Sequence, residues 1–406
     1  MSLTPQPFAM GRGEFVALLA MMLAAVAFSI DAMLPALPMI GAELSPDRPT
    51  DAPLIVSTFL FGMGVGTFFT GPLSDAYGRK RVILVFSLVF IAGAAIAWVS
   101  PSLEMVLVGR VLQGLGAAGP RIVANAIVRD RFAGRQMAKI LSVIMMIFVM
   151  IPAVAPLMGS IIIDITGWRG IFGAFIAFAM TYSIWMMLRL PETLAPENRR
   201  PLRLRLMGYA VAEVIRHPVS RLSILAIMFV SAMLFLTIML VQPLFDTVYG
   251  RADEFPFWFF FIAIAAGSAS LLNALLVVRF GMWRLVTTAL AVQIVLSSTF
   301  LLFDLGSGPF GFYFFVFWLT CIFFQTGLSF GNLNALAMEH MGHIAGMASS
   351  VIGAISTVGA VAISGPIGTM FNGHYTILIT SVLVLASAGF FCMLWMERFT
   401  NRSEVL

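Results

Sequence analysis

The amino-acid sequence predicts an all-α integral membrane protein, with twelve transmembrane helices in two pseudo-symmetric six-helix bundles. Three observations carry that prediction. Of 406 residues, 60% are hydrophobic and only 11% charged, whereas a soluble globular domain carries about a quarter charged residues; a lipid solvent accounts for the missing charge. The apolar residues gather into twelve runs, each about long enough to cross a bilayer core at 1.5 Å per residue. A single long polar segment, roughly residues 190–218, separates the first six runs from the last six. The expected organisation is therefore a bundle over 1–190, a cytoplasmic linker over 191–218 and a second bundle over 219–406.

In the first half the spans are expected at roughly 14–38, 53–73, 80–99, 103–128, 137–162 and 167–189. The first apolar run is too long for the core of a cleavable leader, so it reads as a span. It holds Asp31 deep in FSIDAMLPALP, just before Pro35 and Pro38. A charge in lipid is costly and marks function by default. Glu14, at the other end of this run, reads as a helix-start charge.

Between spans 2 and 3 lies GPLSDAYGRKR. Gly71 and Gly78 allow tight turning, Pro72 interrupts the helix, and Asp75 is the one acid beside Arg79, Lys80 and Arg81. Span 4 carries Arg110, followed by Gln113, Gly114 and Gly116, and then Arg121. Asp31 lies about 24 Å from the inner end of its span and Arg110 about 10 Å from the outer end of its own, so they share a depth. Three arrangements are open. The two pair; or Asp31 titrates while Arg110 responds; or Arg110 holds spans together through backbone carbonyls. A carboxylate balanced between desolvation and a neighbouring cation can load and release a proton near neutral pH. Arg121 is expected to snorkel to the inner interface. Span 5 contains MIPAVAPLMGS, where Pro152, Pro156 and Gly159 should kink the helix and thin one face.

The linker holds PETLAPENRRPLRLRL, and 197–216 suits a short interfacial helix. The second-half spans are expected at roughly 219–243, 255–279, 283–304, 310–336, 345–370 and 374–396. They offer amides rather than deep charge: Gln242, Asn273, Gln293, Gln325, Asn332 and Asn334. Of these, Gln242, Asn273, Gln325 and Asn332 join Asp31 and Gln113 as expected cavity residues. His340 and His343 are expected in a solvated loop.

Charge placement orients the chain. With the N-terminus inside, the inner loops and tails hold 19 Lys and Arg residues, the outer loops hold Arg48, Arg169 and Arg251, and Arg110 and Arg121 fall within a span. That bias places both termini in the cytoplasm. The halves also echo one another: RFGMWR after span 8 repeats part of the span 2–3 loop, and QTGLSFG in span 10 answers QGLGAAG in span 4. Such symmetry puts a binding site near the midplane, between the halves.

Several classes are excluded. There is no GxxxxGK[ST] loop, so ATP does not drive the chain through its own residues. Cys321 and Cys392 have neither metal-ligand nor redox spacing. The net charge of +5 resides in orienting loops, not in a nucleic-acid patch. No metal, cofactor or nucleic acid is expected, and a monomer in membrane lipid is.

The loop Gly71-x-Leu73-x-Asp75-x-x-Gly78-Arg79-Lys80 resembles the span 2–3 signature of the major facilitator superfamily. Arg110-Val-Leu-Gln113-Gly114-Leu-Gly116 resembles its span-4 signature, which the family associates with proton coupling. Pro152, Pro156 and Gly159 resemble the span-5 motif of its antiporter branch, with Ala155 and Ser160 where that motif has glycines. Together with LPALP of span 1 and IVRD at the end of span 4, they most resemble the bicyclomycin/chloramphenicol-resistance type of multidrug:proton antiporter. The resemblance implies a transporter, not an enzyme. It would sit in the bacterial inner membrane and export small, hydrophobic, drug-like compounds against protons by alternating access. Asp31 and Arg110 would serve proton coupling. Gly71, Asp75, Gly78, Arg79 and Lys80 would form a conformational latch at the inner side. The alternatives are a proton-coupled importer of a small polar metabolite and a non-transporting membrane sensor.

Overall fold

A computed structural model describes residues 10–202 and 204–403. Twelve helical stretches are long and apolar enough to span a membrane, and the described residues contain no strand. They form two pseudo-symmetric bundles of six spans.

The first span runs from Arg12 to Leu44 in two pieces. Helix α1 (Arg12–Asp31) ends at the acid itself. Pro35 has no N–H to return to the carbonyl of Asp31, so the chain tightens into a 3-10 turn over Leu34–Ala36. Helix α2 (Leu37–Leu44) then restarts with Pro38 in its first turn, where the missing donor costs nothing. The expected span stopped at Pro38. Proline breaks the helix earlier but does not end the crossing.

Helix α3 (Leu54–Tyr77) absorbs Pro72 and stops at Gly78, whose φ of 96° suits a residue without Cβ. Helix α4 (Arg79–Trp98) starts directly after it. Helix α5 (Leu103–Arg131) is capped by the Ser102 hydroxyl, which accepts from Met105 N. Small residues let α5 lie almost against its neighbours: a Cβ on Gly114 would sit 1.9 Å from the Phe59 carbonyl oxygen of α3, and one on Gly116 would sit 2.3 Å from Phe90 N of α4. Helix α6 (Gly134–Thr166) carries Pro152 and Pro156 without interruption. Helix α7 (Arg169–Arg189) completes the first half.

The linker supplies a 3-10 turn over Pro196–Asn198 and the amphipathic helix α8 (Leu204–Arg216). His340 and His343 are not merely solvated: His343 Nε2 lies 2.6 Å from Glu213 Oε1 of α8, and the His340 ring stacks on His217 at 4.4 Å. Burial, with the neighbouring imidazole of His340, holds His217 below the usual histidine range.

The second half comprises α9 (Pro218–Pro243), extended by a π turn over Leu244–Val248, then α10 (Phe255–Phe280), α11 (Met282–Leu302), α12 (Gly311–Met338), α13 (Ala345–Thr369) and α14 (Thr376–Ser403). Helix α9 packs on α12, α13 and α14 at the centre of this half. The halves meet chiefly where α3 lies against α13 and α6 against α10. The break in the first span and α2 also touch α9.

Candidate functional site

Asp31 is 5% exposed. Its carboxylate has no hydrogen bond or ion pair among the described residues. What positions it is backbone. On one side α1 ends and the chain turns through Ala32; on the other, α6 crosses so closely that a Cβ on Gly159 would sit 2.2 Å from the Ala32 carbonyl oxygen. The Pro-Pro-Gly stretch of α6 thus presents its bare face to the break after Asp31. The helix remains continuous, and the thinned face brings it to α1.

Arg110 is fully buried and does not pair with Asp31. Its Nη2 donates to the Ser29 carbonyl of α1 at 2.9 Å, its Nε to the Ile55 carbonyl of α3 at 3.0 Å, and its Nη1 to Gln113 Oε1 at 2.8 Å. The Phe59 ring lies 4.3 Å from the guanidinium carbon, a cation–π contact in a desolvated place. Of the three arrangements open to the sequence, the direct pair is absent and the carbonyl contacts of the third are present. The guanidinium is a bracket across α1, α3 and α5, anchored two residues before Asp31. The acid has no direct counter-ion among the described residues.

The amides divide into two groups. Asn332 Nδ2 donates to Asn273 Oδ1 at 2.7 Å and to the Leu328 carbonyl, so this pair joins α10 to α12. Gln113 Nε2, Gln242 Oε1 and Gln325 Oε1 are buried without a hydrogen-bond partner among the described residues, though Gln325 Nε2 donates to Ser329 Oγ. Buried polar atoms left open are rare. Each of the three has hydrogen-bonding capacity that no described protein group meets.

Arg121 does not snorkel. Its Nη1 reaches Met63 Sδ at 3.5 Å. Met63 lies within α3, about 14 Å from one end of that helix and about 21 Å from the other. A helical side chain leans toward its own N-terminus. For α5 that direction leads from the basic end into the membrane.

The basic loop is a junction of the first half. Arg79 Nε donates to Asp130 Oδ2 at 3.0 Å at the end of α5, and Arg79 Nη1 to Ser74 Oγ and Asp75 Oδ1. Glu192 receives the backbone N–H groups of Arg79 and Lys80 at the start of α4, an anion on a helix N-terminus. Lys80 Nζ donates to the Met187 and Leu190 carbonyls at the end of α7. Arg200 N donates to the Asp75 carbonyl, which ties in the linker. Gly71 faces the other half: a Cβ there would sit 2.7 Å from Ser350 Oγ of α13. Glu192 was not singled out from the sequence. The available signal was an acid immediately after span 6, on the same side as the α4 N-terminus.

Comparisons with known proteins fall on this geometry. The profile of the Major Facilitator Superfamily matches residues 17–366. The chain is 30% identical over 349 residues to a bicyclomycin resistance protein homolog of Haemophilus influenzae, covering 82% of this chain and 84% of that one. It is 28% identical over 346 residues to the multidrug resistance protein MdtL of Salmonella heidelberg, covering 82% of each. Among solved structures, a D-xylose-proton symporter superposes with a TM-score of 0.71 at 15% identity, over 94% of this chain and 97% of the other, a likeness of fold.

Proposed function

The chain belongs to the Major Facilitator Superfamily, a family of membrane transporters, and on that premise we propose that it exports small hydrophobic compounds in exchange for protons. Asp31 is the proton carrier. The observation that carries this reading is the setting of Asp31: a buried carboxylate with no hydrogen-bond or ion-pair partner among the described residues, at a helix break that a second helix touches backbone to backbone. An acid fixed in an ion pair would have to break that pair at each turnover. This one is free to exchange its proton when the cavity changes sides. The names of the two relatives, a bicyclomycin resistance homolog and a multidrug resistance protein, support export of drug-like compounds.

In this mechanism a proton on Asp31 and a substrate in the cavity compete. Arrival of the proton from outside weakens substrate binding and releases the compound outward, and loss of the proton to the inside resets the site. Gln113, Gln242 and Gln325 orient the substrate through their open polar atoms. Asn273 and Asn332 hold the wall behind them. The loop around Asp75 latches the inner side, with both termini cytoplasmic, in a bacterial inner membrane. The test is transport in inside-out vesicles with an imposed proton gradient and a lipophilic fluorescent substrate. The expected result is accumulation that collapses with an uncoupler. Absence of transport across a broad panel, or transport indifferent to the uncoupler, contradicts the reading.

A further inference from the structure

We infer that Arg121 is a substrate-binding residue that accepts a carboxylate or a comparably strong anionic acceptor on the transported compound. Four observations converge on it. Its guanidinium reaches Met63 at mid-helix in α3, so the charge lies near the middle of the membrane and not at its edge. Its side-chain bond there is to a thioether sulfur, a weak acceptor. No carboxylate among the described residues pairs with it. It is also partly accessible, although α5 has no exposed side chain from Gly109 to Val128. Its nearest polar contact, Met63, is itself buried, so the guanidinium is directed toward the protein interior.

Arg110 shows what a structural arginine on this helix looks like. Arg121 lies eleven residues further along α5, about three turns on and on nearly the same face. Arg110 spends its donors on two backbone carbonyls and an amide. Arg121 has the same five donors and the same low-dielectric setting without comparable acceptors. A guanidinium at that depth is expensive unless something answers it. Its location says where the answer comes from. Gly64, next in the chain to Met63, meets Thr357 and Val358 of α13, so the stretch of α3 that the guanidinium reaches also borders the other half. Asn125, one turn on, donates to the Arg121 carbonyl and is likewise partly accessible, which leaves its side-chain oxygen for a donor on the same ligand. The planar fork of arginine matches a carboxylate in two-point contact.

This assignment rests on the export reading for its account of what the cavity is for, and a binding measurement separates the two. The full-length protein in nanodiscs would be titrated with dansylglycine and with its uncharged amide, dansylglycinamide, by dansyl fluorescence. Wild type is expected to bind the carboxylate about ten-fold more tightly than the amide, the scale of one charge-assisted hydrogen-bond pair in a dry site. Arg121→Gln should abolish that preference by weakening carboxylate binding more than amide binding, and Arg121→Lys should retain part of it. If Arg121→Gln does not fold, the lysine variant decides: a preference reduced but present supports the site, and an undiminished one overturns it. Equal binding of the two compounds by wild type, no saturable carboxylate binding, or a preference that survives Arg121→Gln overturns the assignment. Should the amide be exported while carboxylate preference is missing, only the substrate class falls. Should the preference appear without gradient-driven transport, the export reading falls and the anion site stands.

Discussion

Arg110 and Asp31 share a depth but not a bond. A buried arginine that satisfies carbonyls is costly to alter, because each carbonyl left unpaired in a dry interior costs about 1–3 kcal/mol. Arg110→Lys keeps the charge, yet an ammonium on a flexible stem cannot meet Ser29, Ile55 and Gln113 together. The expected loss is about 2 kcal/mol, read as a lower melting temperature in detergent. An unchanged melting temperature would show that the bracket is dispensable. Asp31 and Arg110 stand out in the sequence because charge in an apolar run is conspicuous. Whether they touch was not legible, since depth along a helix says nothing of azimuth. Arg121 departs from its expected place for a related reason. Its distance from the end of span 4 suited snorkelling, but side-chain direction on a helix is set by chain polarity, and α5 points it the other way. The open amides could be named but not sorted: Asn273 and Asn332 sit on different helices, and only their meeting shows that they answer each other.

Two elements set how the site is built. The first is the α1–α6 crossing. Any side chain on Gly159 would press on the Ala32 carbonyl, and backbone cannot move aside as a flexible side chain can. Gly159→Ala is expected to cost about 1–3 kcal/mol through overpacking, and to impair proton-driven transport more than substrate binding, since it displaces the turn that carries Asp31. Parallel transport and binding assays check this split. The second element is the basic loop. Its glycines and charges were readable as a unit, and the resemblance they carry holds over most of the chain. Its partners were not readable, because Asp130 and Glu192 arrive from the ends of α5 and α7, far away in sequence. Asp75→Asn should slow transport several-fold and leave binding intact, because Arg79 keeps Asp130 and Ser74. A rate equal to wild type in the vesicle assay would remove the latch role. The helix boundaries were approximately legible from hydropathy. The break after Asp31 was signalled by Pro35, but its continuation into α2 depended on Pro38 falling in a helix's first turn.

For the whole molecule, the twelve spans and their division into two sixes were legible because lipid imposes length and apolarity on every crossing. The interfaces between the halves, α3 with α13 and α6 with α10, were not, since Gly-rich apolar faces match one another too easily to choose partners. One of these interfaces supplies a direct test of alternating access. A Cβ on Gly71 would lie 3.9 Å from the Ser350 Cβ, within the range a disulfide needs. With Cys321 and Cys392 replaced by alanine, the Gly71→Cys/Ser350→Cys pair should crosslink under oxidation, halt transport, and recover on reduction. Transport that continues in the crosslinked protein would show that the halves do not part at the basic end.

In the proposed mechanism Asp31 carries the exchanged proton, and proton release on substrate binding reads that step directly. Purified protein in lightly buffered detergent would be mixed with substrate while a pH dye is followed, for wild type and for Asp31→Asn. Wild type is expected to release protons on binding, with release fading as the starting pH rises and Asp31 is already ionised, and Asp31→Asn is expected to bind substrate without release. Release of equal size from Asp31→Asn would contradict that role and place the proton on another group.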